Sequence, residues 1–105
     1  MHFIETPVFT RLIAKHLDEP SYRALQLALL LRPESGRLIP GSGGLRKVRW
    51  MRAGGGKRGG MRVIYYWDVQ NSICYLLFVY RKSEQGDLSR AQVRYFRKLM
   101  AEELP

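Results

Sequence analysis

Acidic side chains are scarce in this chain. Nine Asp and Glu stand against eighteen Lys and Arg, a formal net charge of +9, and from Ser35 to Trp67 there is no acid at all. A small domain this basic points to an anionic partner: nucleic acid, a membrane surface or an acidic protein. Cysteine is down to one, Cys74, so no internal disulfide can form. Its place in an apolar run marks a small buried side chain, in keeping with a reducing cytoplasm. The two histidines, His2 and His16, lie near the N-terminus, far in sequence from the basic stretch. No metal-ligand cluster and no Cys–His or Ser–His–Asp spacing results. Long hydrophobic runs are also missing. Ala24–Leu31 and Ile73–Tyr80 fall well short of the roughly 20 residues that span a bilayer, and Glu5 and Pro7 interrupt any signal-peptide core. A nucleotide-hydrolysing phosphate loop is excluded as well, because Gly56-Lys57 is followed by Arg58 rather than Ser or Thr.

What is present is a sequence of 105 residues, one domain in length, with 46% apolar residues, enough for a modest core. Phe3–Ile4 with Val8–Phe9 reads as a short first strand, with Pro7 starting or breaking the next element. Phe9, Leu12, Ile13 and His16–Leu17 recur at helical spacing. Asp18 is placed to cap a second helix, with Glu19 and Pro20 in its first turn and Pro33 to stop it. Residues 34–44 are turn material around Leu38–Ile39. Strands follow at Leu45–Arg52, Met61–Trp67 and Ile73–Tyr80, with a turn over Asp68–Ser72. Ser89 and Gln92 form a capping-box pair for a last helix, with Leu88 and Val93 placed as a hydrophobic staple. The expectation is a small α+β domain: a mostly antiparallel sheet, two N-terminal helices and a C-terminal helix, all packed on one side.

The chemistry concentrates between Gly43 and Tyr66. Arg46, Lys47, Arg49, Arg52, Lys57, Arg58 and Arg62 lie on a hairpin whose linker, Gly54–Gly60, is five-sevenths glycine. Glycine lets backbone N–H groups approach a phosphate closely. Arg62 is unusual inside a strand. It serves either as a fixed phosphate ligand on an open face or as an edge residue snorkelling to water. Arg81-Lys82 closes the fourth strand, where a meander brings it towards Arg62 and the loop. Trp50, Tyr65, Tyr66, Trp67, Tyr75 and Tyr80 lie on or near these strands, and any ring facing the basic side can stack on an unpaired base. RNA is the first partner to consider. Cleavage would have to work without imidazole, through lysine or arginine stabilising a crowded phosphorane-like transition state.

Leu45-Arg46-Lys47-Val48-Arg49, then Gly56-Lys57-Arg58-Gly59-Gly60-Met61-Arg62-Val63-Ile64-Tyr65-Tyr66, then Tyr75-Leu76-Leu77 and Tyr80 with Lys82 before a terminal helix, resemble the HigB branch of the RelE-like toxins of bacterial type II toxin–antitoxin systems. The resemblance implies a ribosome-dependent mRNA endoribonuclease in the cytoplasm. The ribose 2′-OH attacks the adjacent phosphate, with no metal and no cofactor. It implies mRNA, the ribosome and a cognate antitoxin as partners, the antitoxin a helix-turn-helix protein that covers the basic site. Residue by residue, Arg62 matches the strand arginine that holds the scissile phosphate, Lys57 and Arg58 the basic loop, and Lys82 the cation nearest transition-state stabilisation. Members often carry a tyrosine shortly after that cation. Ser83-Glu84-Gln85-Gly86-Asp87-Leu88 has none, which leaves Tyr80, Glu84, Lys82 or the more distant Tyr95 as base. The catalytic set is then Arg62, Lys82, Lys57 and Tyr80, and the RNA- and ribosome-binding set is Arg46, Lys47, Arg49, Arg52, Arg58, Arg81 and Tyr66. A ParE-like gyrase inhibitor and a non-catalytic RNA-binding module are the alternatives.

Overall fold

The computed structural model describes residues 1–51 and 60–103. The elements run β1 (His2–Glu5), α1 (Pro7–His16), α2 (Glu19–Leu31), β2 (Arg37–Leu38), β3 (Leu45–Met51), β4 (Gly60–Asp68), β5 (Ile73–Arg81) and α3 (Arg90–Glu103). The strands form one sheet in the order β1-β5-β4-β3-β2. Among the described strands only β1, parallel to β5, breaks the antiparallel pattern.

The caps fall where the sequence places them. Asp18 accepts from the Ser21 N–H at 2.9 Å. Ser89 and Gln92 exchange bonds at 2.9 and 3.0 Å, the reciprocal capping box. Val8 and Phe9 belong to α1 rather than to a first strand. Thr6 ends the strand instead. Its side chain accepts from the Phe9 N–H, capping α1, and donates to the Leu77 carbonyl at 2.7 Å.

Leu77 sits at an irregularity in the β4–β5 register, where Ile64 pairs with Phe78 and Tyr65 with Leu76. This bulge leaves Leu77 as the extra residue and shifts the phase of everything after it. Cys74, Leu76 and Val79 pack with Phe9, Ile13, Leu25, Leu29, Val63 and Tyr65. Tyr75, Leu77 and Tyr80 pack with Leu45, Ile64, Phe96 and Met100. The helices therefore do not share one side. The α1–α2 pair covers one face of the sheet and α3 covers the other. Two interior strands coated on both faces explain the unbroken apolar run of β5.

The edge beyond β4 is organised by Tyr65, which is fully buried. Its hydroxyl donates to the Pro33 carbonyl at 2.7 Å and accepts from the Gly36 N–H at 2.9 Å. Gly36 has no room for a side chain, since a Cβ there would lie 2.7 Å from the Tyr65 ring. These contacts fix the exit from α2 and deliver β2 to the sheet edge.

Candidate active site

Strand alternation places Lys47 and Arg49 of β3 on the same face as Arg62, Ile64 and Tyr66 of β4. Helix α3 covers this face over β4 and β5 but leaves the β2–β3 side open. A cleft of about 640 Å³ lies there, lined by Ser35, Arg37, Lys47, Val48, Arg49, Arg62 and Lys82. Five of these seven residues are cations, drawn from β2, β3, β4 and the segment after β5.

Arg62 is the least ordinary of them. It is only 7% exposed. Its one hydrogen bond among the described residues runs from Nη1 to the Met61 carbonyl at 3.4 Å, and no carboxylate there pairs with it. Burying a guanidinium away from any ion-pair partner costs several kcal/mol by order of magnitude; the charge of Asp87 offsets part of this without a direct bond, and an anion in the cleft would offset more. Gly60 keeps the space open, because a Cβ there would sit 3.2 Å from Nη1. Arg62 is thus neither on an open face nor snorkelling from an edge. It is held in an interior strand with Arg49 opposite on one side and Tyr80 on the other.

Tyr80 is 3% exposed, and its hydroxyl is buried with no hydrogen-bond partner among the described residues. Burial raises its pKa, the charge of Asp87 adds to this and Arg62 opposes it. The phenol therefore stays protonated at neutral pH and is suited to donate a hydrogen bond, not to remove a proton. Asp87 is joined to the cleft through Lys47, with Oδ1 bonded to the Lys47 ammonium at 3.1 Å and to the Leu88 N–H at 2.9 Å. The Lys47 hydrogen bond holds its carboxyl below the ordinary range. The Leu88 N–H and the charges of Lys47 and Arg62 act the same way, against the opposing effect of burial.

The structure brings together four of the residues singled out from sequence: Arg62, Lys82, Lys47 and Arg49. It sends others elsewhere. Arg46 donates to the Gly36 and Glu34 carbonyls at 2.8 and 3.2 Å and serves as a brace for the α2 exit. Arg81 does not follow Lys82 into the cleft. It pairs with Met61 in register, and its Nε donates to His16 Nδ1 at 3.2 Å on the α1 side. Alternation dictates the split, since adjacent strand residues point to opposite faces. Tyr66 packs against the α3-side core, its ring pressed by the backbone at Gly44, where a Cβ would lie 2.9 Å away. None of the six strand aromatics lines the cleft; all are core or packed against it. Arg52, Lys57 and Arg58 lie outside the described residues.

Two residues escaped the sequence reading. Arg37 falls in a segment read as turn. Its only signal is membership of the acid-free span, because a two-residue strand has no periodicity to detect. Asp87 had only its nearness to the capping box to mark it.

Among the described residues no helix is long and apolar enough to cross a membrane. A structure of an E. coli RelE toxin mutant in the free state matches with a TM-score of 0.58 at 13% identity, covering 81% of this chain and 86% of that one. This likeness shows the fold. The family model described as RelE toxin of the RelE / RelB toxin-antitoxin system matches residues 36–104, from the strand that carries Arg37 through the terminal helix. The chain therefore belongs to the RelE toxin family.

Proposed function

We propose that this toxin is a metal-independent mRNA endoribonuclease acting on ribosome-engaged message, and that the cationic cleft is where it cuts. The buried guanidinium of Arg62, ion-paired to no carboxylate among the described residues, carries the reading, because a phosphodiester supplies the direct partner that this position lacks. In this mechanism Arg62 fixes the scissile phosphate. Lys82, on the same cleft, stabilises the charge that accumulates as the 2′-oxygen attacks phosphorus. Tyr80, the register partner of Arg62, backs the cleft from the core as a neutral phenol. Arg37, Lys47 and Arg49 hold the flanking backbone by charge, and Lys57 and Arg58 of the glycine-rich linker are assigned to the same task. The products are a 2′,3′-cyclic phosphate and a free 5′-OH.

A family of toxin–antitoxin toxins implies an antitoxin partner. We assign to it a segment acidic enough to cover five clustered cations. The test is translation in a cell-free extract, with message mapped by primer extension. Wild type should stop translation and leave discrete cuts. Arg62→Ala should lose at least 100-fold in cutting, since removing one preorganised contact to a transition-state oxyanion costs about that much. Equal cutting by both proteins would remove the cleft as the site. Inhibited gyrase supercoiling without RNA cuts would replace the reading with the ParE-like one.

A further inference from the structure

We propose that Asp87 is the general base of the cleft, taking the proton from the attacking 2′-hydroxyl. This inference rests on the cleavage function proposed above. The other groups that could do the task are placed badly for it. Glu84 caps the Arg81 N–H at 3.0 Å, beside the residue that turns away to α1, and among the described residues it pairs with no cation lining the cleft. Tyr95 lies on α3 and lines a separate apolar groove with Ile4, Val8 and Leu99. His16 lies on the opposite face, bound to Arg81. Tyr80 is a buried phenol.

Asp87 has what they lack. Among the described residues it is the only carboxylate paired with a cation that lines the cleft. Both of its hydrogen bonds fall on Oδ1, so Oδ2 keeps its lone pairs for a proton. The residue is also held in place. The Gln85 amide donates to its carbonyl at 2.9 Å and to Gln92 at 2.9 Å, tying it to the cap of α3. Three charged or titratable groups face the carboxyl from three strands: Lys47 of β3, Arg62 of β4 and Tyr80 of β5.

Oδ2 accepts the 2′-OH proton while the 2′-oxygen bonds to phosphorus. The P–O5′ bond breaks, and the departing 5′-oxygen takes a proton from the Lys82 ammonium. Aspartic acid and neutral lysine then exchange protons with solvent, restoring the starting state.

A base that stays ionised well into acid gives a cleavage rate that does not rise with pH across the neutral range, whereas a lysine or histidine base gives a rate that climbs there. The experiment is single-turnover cleavage of message on programmed ribosomes as a function of pH, for wild type, Asp87→Asn and Asp87→Glu. Thermal melts and RNA-binding titrations accompany it. Asp87→Asn should bind RNA at least as tightly, since it removes a negative charge from a cationic site, yet cleave at least 100-fold more slowly. Asp87→Glu should recover part of that rate. Cleavage by folded Asp87→Asn at the wild-type rate, or a wild-type rate rising tenfold per pH unit through neutrality, overturns the assignment and leaves the cleft standing. Should Asp87→Asn fail to fold, the wild-type pH profile decides alone. A wild-type protein that cuts nothing overturns the underlying function instead.

Discussion

Arg49 of β3 and Arg62 of β4 are direct register partners on one face of the sheet. Like charges placed opposite each other oppose strand pairing by a few tenths to about 1 kcal/mol. Residues arranged only for stability would not meet this way. Arg49→Thr should therefore raise the melting temperature, by up to roughly 4–8 °C if the full 1 kcal/mol is released in a domain of this size. The same variant should lose about tenfold or more in message cleavage. A melt paired with a single-turnover assay checks both, and a lower melting temperature would show that the two guanidinium groups do not repel.

Tyr65 links the core to the cleft rim. Its hydroxyl makes bonds of 2.7 and 2.9 Å to Pro33 and Gly36, one residue before Arg37. Tyr65→Phe leaves a buried N–H and a carbonyl without that partner, a cost of about 1–3 kcal/mol. Because β2 is only two residues long, the loss should also loosen Arg37. The expected result is a lower melting temperature and RNA binding weakened several-fold, with Arg62 and Lys82 unaltered. Denaturant unfolding and filter binding on one preparation measure the two effects.

These linkages set how far the sequence could be read. The face assignments of β3 and β4 were legible because alternation is a local rule, and it separated Lys47 and Arg49 from Val48 and Trp50 correctly. The capping pairs at Asp18 and Ser89 were legible for the same reason. The side taken by α3 was not. It depends on the one-residue bulge at Leu77, which no local pattern announces in a run that is apolar on both faces. Arg81 was misplaced by treating neighbours in sequence as neighbours in space. Asp87 meets Lys47 across forty residues of chain, a contact that only the fold creates.

Arg37 supplies a test of the cleft as a polyanion site. Binding single-stranded nucleic acid releases condensed counterions, and log K falls with log salt at about −0.7 per phosphate neutralised. Arg37→Ala should weaken RNA binding similarly for all sequences and flatten the salt slope by close to one contact. Arg81→Ala, which faces α1, should leave the slope of the cleft unchanged. An equal change in both would mean that charge alone, not placement, sets the affinity.

His16 joins two distant parts of the chain through pH. Burial lowers its pKa below the ordinary 6.5, and the nearby Arg81 charge lowers it further, with Lys15 adding and Glu84 opposing. As pH falls through about 6.5, the unfolded chain takes up a proton that the folded one refuses. The contribution of His16 to stability is thus complete above that value and is lost as pH drops towards the lower folded pKa. Protonation also removes the lone pair on Nδ1 that accepts from Arg81, releasing the strand end beside Lys82. Melting temperature should therefore decline in wild type as pH falls below about 6.5, and His16→Gln should show a shallower decline over the same interval. The difference between the two curves isolates the histidine, because the carboxylates titrating lower in the range are common to both proteins.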